Sequence, residues 1–131
     1  MVSPMARRNL EAHIAAERRG DLDAIMAPLS DHPRYVLQER VLEGRDQVRA
    51  MYAAGLDRLT DQNMDEYLRA LDDPNVASWG DDHCVLEYSD DYPLHRNMIV
   101  VIHFDADGKV RSENTYWRGP NPHLASVPEP A

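Results

Sequence analysis

The chain has 131 residues, with 23 acidic against 14 basic side chains and a formal net charge of -9. That length suits one domain with a core of its own, and a field of that sign repels phosphate backbones, so nucleic acid is not an expected partner. No apolar run approaches the roughly 20 residues of a membrane span, and a charged helical pattern follows the basic start where a signal peptide would have its apolar segment; no membrane partner and a cytoplasmic location are expected.

From about Ala6 to Arg19, Leu10, Ile14 and Ala15 recur at helical spacing among charged residues, and Gly20 ends the pattern. Asp21 caps a second, shorter helix that carries Leu22, Ile25 and Met26 and finishes near Pro28. Ser30 to Pro33 reads as a turn and Arg34 to Gln38 as a strand. A third helix is expected from Arg45 to about Leu59, its stripe made by Val48, Met51, Tyr52, Leu56 and Leu59.

Met64 to Leu71 reads as a strand, Val76 to Trp79 as a short one, and His83 to Tyr88 as a better one. Cys84, the single cysteine, sits in this last run and reads as a small core residue. Ser89 to Pro93 is a loop. A long hairpin follows, from Met98 through the turn Asp105-Ala106-Asp107-Gly108 to Trp117. If Phe104 pairs with Val110, Val101 faces Glu113 and Ile99 faces Thr115. One face then carries Asn97, Ile99, Val101, His103, Arg111, Glu113, Thr115 and Trp117. Residues 1–118 form the domain; 119–131 are a Pro-rich tail with little to bury.

Helices first and antiparallel strands later give an α+β layout, a curved, mostly antiparallel sheet covered by three helices of the N-terminal half. A helix laid over a concave sheet encloses a cone, which suits a hydrophobic small-molecule ligand.

Four runs carry a family resemblance: Gly20-Asp21-Leu22-Asp23-Ala24-Ile25, Glu43-Gly44-Arg45-Asp46-Gln47-Val48, Phe104 through Val110, and Tyr116-Trp117. In that order they resemble the SnoaL-like and ketosteroid-isomerase-like branch of the nuclear transport factor 2-like superfamily. The resemblance implies a cone-shaped half-barrel, often a homodimer. Carried over by position, the ketosteroid isomerases' first-helix Tyr becomes His13, their proton-shuttling Asp becomes Leu37 and their second acid becomes Val100. None of the three is a carboxylate, so the resemblance does not imply that mechanism. Tyr52 matches a supporting Tyr and Trp117 an aromatic wall. The epoxide-hydrolase branch's last-strand Asp falls on Thr115. Scytalone dehydratases work with Tyr, His and Asp groups, which keeps dehydration open.

The residues that bear chemistry are few. His13, on the first helix, can move a proton at neutral pH if it faces the cone, or be a surface histidine if it does not. Tyr52 can hold an oxyanion or orient His13, or be a core tyrosine. His103 and Glu113 share the expected hairpin face as diagonal neighbours and form a second acid/base pair if that face is concave. Tyr35, Leu37, Met51, Leu56, Ile99, Val101, Thr115 and Trp117 are the expected substrate-binding residues. His83, His95 and His103 lack metal-ligand spacing and no Gly-rich loop precedes a helix, so neither metal nor cofactor is expected. Two readings follow. One is a cofactor-independent enzyme that cyclises, isomerises or dehydrates a hydrophobic oxygenated molecule; the other is a non-catalytic binding or protein-interaction domain.

Overall fold

A computed structural model describes residues 3–56, 61–88 and 97–117. Its elements in order are α1 (Pro4–Arg19), α2 (Leu22–Met26), β1 (Leu29–Leu37), β2 (Arg40–Glu43), α3 (Gly44–Gly55), α4 (Asp61–Asp72), β3 (Ala77–Trp79), β4 (His83–Tyr88), β5 (Met98–Phe104) and β6 (Val110–Trp117). The strands form one curved, unclosed sheet in the order β2-β1-β6-β5-β4-β3, antiparallel except for the β1/β6 pair. This is the expected α+β architecture. Among the described residues no helix is long and apolar enough to cross a membrane. Leu59, the Ser89–Pro93 loop, His95, Arg118 and the 119–131 tail lie outside the described residues.

Local chemistry sets the helix ends. The Ser3 hydroxyl accepts from Ala6 N–H at 3.3 Å, Pro4 opens α1, and Gly20 closes it in the left-handed conformation. Ala6, Leu10, His13, Ile14 and Ala16 form the buried stripe of α1, so His13 turns inward with the apolar residues. Asp21 caps α2 through Ala24 N–H.

Met64–Leu71, expected as a strand, lies within α4. Met64, Ala70 and Leu71 are buried and Tyr67 and Leu68 pack against the same core, a spacing of three and four that fits a helix and not an alternating strand. Arg18 pairs with Asp65, and Arg7 with Asp72 at 2.7 Å, which fastens α4 to α1. The expected turn at Ser30–Pro33 is instead the first half of β1. Pro33 is tolerated because β2 pairs with β1 only from Arg34 onward, and a register shift follows Leu29. The short β2 went unread in the sequence.

The hairpin turn is as expected. Gly108 has φ +79°, and the Asp105 carboxylate accepts from Asp107 N–H and Lys109 N–H, each at 2.9 Å. Asn9 of α1 donates to the Gly108 carbonyl at 2.7 Å, docking the turn on the helix.

Phe104 does pair with Val110, but His103 pairs with Ser112, so Arg111 is an extra residue and the hairpin bulges there. Beyond the bulge every β6 side chain changes sides relative to the unbulged register. The helix-covered face therefore carries Val100, Ile102, Glu113, Thr115 and Trp117. Its core contributions are large: Val100 is 0%, Ile102 2% and Thr115 4% exposed, against 41% for Ile99.

Candidate active site

The covered face concentrates the polar groups at one place. Tyr35 on β1 is flanked by Leu42 of β2 and Glu113 of β6, its register partners on either side. The Tyr35 ring is buried, and its hydroxyl donates to the Glu113 carboxylate. Tyr52, descending from α3, puts its hydroxyl 2.6 Å from that of Tyr35 and 2.9 Å from Nε2 of His13. Its ring meets both neighbours edge-on, with centroids 5.2 Å from His13 and 5.8 Å from Tyr35.

On its other side His13 Nδ1 donates to the Ile25 carbonyl of α2 at 2.9 Å. Glu17, one helical turn on, brings Oε1 to 2.8 Å from Nε2. The result is a continuous run of five groups, Glu17, His13, Tyr52, Tyr35 and Glu113, drawn from α1, α3, β1 and β6.

The electrostatics follow from this enclosure. Burial pushes the Glu113 carboxyl up to about 7, with the Glu17 charge adding to the rise, while the His13 cation and the Tyr35 hydroxyl oppose it. For His13 burial opposes the charge, but the Glu17 carboxylate beside it, then Glu113 and the Ile25 carbonyl, raise it above its ordinary value. Tyr35 and Tyr52 are held well above the ordinary phenol range by burial and by the two carboxylates, so both remain hydroxyls at neutral pH. Tyr67 of α4, also raised, feels the same carboxylates.

Of the sequence-derived candidates, His13, Tyr52, Glu113 and Tyr35 meet in this run. Leu37 and Thr115 are buried register partners beside it, and Val100 pairs with Thr115 from the other side. Met51 and Trp117 are partly buried against the core; Leu56 is partly buried at the end of α3. His103 is not with Glu113. The bulge sends Glu113 to the covered face, whereas His103 lies on the uncovered one, opposite His83 with ring centroids 5.7 Å apart and 3.4 Å from the Ser112 hydroxyl. Ile99 and Val101 lie on that face too, and Val100 and Ile102 take the places expected for them.

Glu17 was missed, although its spacing of four from His13 was visible. Cys84 is fully buried and its thiol is pushed up to about 12, as suits a core residue. Among the described residues no three His, Cys, Asp or Glu side chains converge as metal ligands.

No protein-family model and no curated protein matches the chain. Solved structures do. An epoxide hydrolase/cyclase-like enzyme, SalBIII, with a role in pyran ring formation in the polyether salinomycin, superposes with a TM-score of 0.59 at 15% identity, over 86% of this chain and 90% of that one. A steroid delta-isomerase from Pseudomonas aeruginosa gives 0.58 at 16% identity, over 96% and 88%. A SnoaL-like protein of unknown function from Burkholderia thailandensis gives 0.55 at 19% identity, over 91% and 99%. Likeness at these identities is a likeness of fold: the chain has the cystatin-like α+β fold.

Proposed function

We propose that the chain is a small enzyme that works by general acid/base catalysis with its own side chains on a hydrophobic, oxygenated, uncharged molecule held against Glu113. The observation that carries this reading is the Glu113 carboxyl itself: enclosed, hydrogen-bonded by Tyr35, and with its protonation balanced at about 7. A group so poised gives and takes a proton with equal ease at neutral pH. Cyclisation, isomerisation and dehydration all need a proton removed at one atom and delivered at another. Ring formation and steroid isomerisation, the roles named for two structural neighbours, fall in that class. Glu17 and Glu113 both act on His13, and two carboxyl groups in one enclosed place disfavour an anionic substrate.

The test is a panel of hydroxy-epoxides, β,γ-unsaturated ketones and β-hydroxy ketones on hydrophobic scaffolds, assayed for product with the wild type and Glu113→Gln. Conversion of one class, reduced by about 100-fold or more in the variant at unchanged fold, is the expected result. A compound that stabilises the wild type against heat but is never converted would assign the site to binding instead. Turnover unaffected by Glu113→Gln would remove Glu113 from the chemistry.

For the uncovered face we propose contact with a second copy of the chain. Ile99 and Tyr116, 41% and 47% exposed, are direct cross-strand partners there. Beside them Val41, Val36, Asn114, Val101 and Val85 form one row across five strands. The Asn114 Oδ1 is buried with no hydrogen-bond partner among the described residues, and a facing copy could supply its donor. Light scattering should give a dimer for the wild type and a monomer for the Ile99→Lys/Tyr116→Lys double variant; a monomeric wild type would end the proposal.

A further inference from the structure

We propose that Glu17 is a positioning residue: it holds His13 as an imidazolium and so aims the hydroxyl hydrogens of Tyr52 and Tyr35 at Glu113, making the five groups one directed proton path. The contacts of the His13 ring to Glu17 and Ile25 favour it. Nδ1 lies 2.9 Å from a carbonyl, which can only accept, and Nε2 lies 2.8 Å from a carboxylate oxygen. Either neutral tautomer would press a bare nitrogen lone pair against one of those oxygens. The imidazolium satisfies both. Burial alone would favour a neutral ring, and the charge and hydrogen bond of Glu17 are the main effects that reverse it.

The direction then propagates. The one hydrogen on Nε2 is then shared between the Glu17 carboxylate and the Tyr52 oxygen, which accepts from it, and the Tyr52 hydrogen turns to Tyr35 at 2.6 Å. When Glu113 is ionised it has nothing to donate, and the Tyr35 hydrogen in turn goes to it. A concerted shift along this path moves the Nε2 proton to Tyr52, the Tyr52 proton to Tyr35 and the Tyr35 proton to Glu113. It leaves neutral His13, two intact phenols and a carboxylic acid, with the total charge unchanged. Glu113 can thus be reprotonated from inside, through a histidine that is 3% exposed.

The charged and titratable groups around His13 are Glu17 on its own helix, Tyr52 from α3, Tyr35 from β1 and Glu113 from β6, with Tyr67 of α4 facing the same carboxylates. Neutral His13 would make Nε2 an acceptor, turn the Tyr52 hydrogen back toward α1 and reverse the path.

The inference deepens the reading of Glu113 as the proton-transfer group and rests on it only for what the proton is used for; the direction of the path is measured without a substrate. The experiment is nitrogen-15 NMR of the histidine rings in the full chain, with His13 assigned by its loss in His13→Gln. At pH 7 the wild type should show both His13 nitrogens protonated. Glu17→Gln should lower the His13 pKa by roughly one unit or more and expose a bare Nε2, and Glu17→Asp should restore the cation. Tyr52→Phe should leave His13 charged but raise the carbon-13 titration of Glu113, because Tyr35 loses the hydrogen bond that strengthens its own donation. A neutral wild-type ring at pH 7, with the proton on Glu17, would overturn the proposal, as would a His13 titration unmoved by Glu17→Gln. Either result leaves the Glu113→Gln turnover test untouched, so the two readings fail separately.

Discussion

Tyr35 and Glu113 are direct partners across β1 and β6, the parallel pair of the sheet, and the tyrosine hydroxyl donates to the carboxylate it faces. The pairing fixes both side chains on the covered face, since partners in register point the same way. That hydrogen bond stabilises the ionised form and holds the Glu113 pKa below where burial alone would place it. Tyr35→Phe should therefore raise the Glu113 titration by roughly one unit, read by carbon-13 NMR, and move any pH–rate limb that needs the carboxylate upward by as much. An unmoved titration would mean that the hydroxyl serves Tyr52 alone.

Glu113 also makes stability depend on pH. Its ordinary value is 4.5 and its folded value about 7, so between the two the folded chain binds more protons than the unfolded one. Stability must fall as pH rises through that window. The raised His13 adds to the same trend, since its contribution is complete below 6.5 and is lost as pH rises through its folded value. Glu113→Gln removes the first effect and lessens the second, since the Glu113 charge also helps to raise His13. Compared with the wild type it should gain up to roughly 3 kcal/mol between pH 4 and pH 8 in denaturant melts. A constant difference between the two proteins across that range would show that Glu113 is not enclosed as described.

Much of this site was legible in the residues, and the part that was not has one physical cause. His13 and Tyr52 could be read because helical periodicity survives small errors of boundary: Leu10, Ile14 and Val48 fix the inward faces of α1 and α3. Strand faces lack that tolerance. Arg111 adds one residue to β6, and that alone moves Glu113 away from His103 and toward His13 and Tyr35. Nothing in Val110-Arg111-Ser112 announces the bulge, which accompanies the docking of the Gly108 turn against α1 and the placing of a half-buried Glu113 beside β1. Met64–Leu71 was misread for the opposite reason, since its three-and-four spacing was present but lay in a short segment between turn-like stretches.

The helix end that presents the Ile25 carbonyl to His13 is anchored by a side chain far from His13 in sequence. The Arg45 guanidinium, at the start of α3, donates to the carbonyls of Met26 at 3.0 Å, Ser30 at 3.0 Å and Leu29 at 3.2 Å. It ties α3 to the end of α2, next to the Ile25 carbonyl that accepts from His13. The planar fork reaches three acceptors that a lysine ammonium on a flexible stem cannot hold together. Arg45→Lys should cost roughly 1–3 kcal/mol in a denaturant melt, and Arg45→Ala at least as much, because partly buried carbonyls lose their donors. The Arg45→Lys variant, if it remains folded, should also weaken the His13 Nδ1 hydrogen bond and lower the His13 pKa, measured by the same nitrogen-15 titration. Loss of stability with an unchanged His13 would confine Arg45 to holding the helices together; a shift in both would show that the anchoring of α2 and the charge on His13 are coupled.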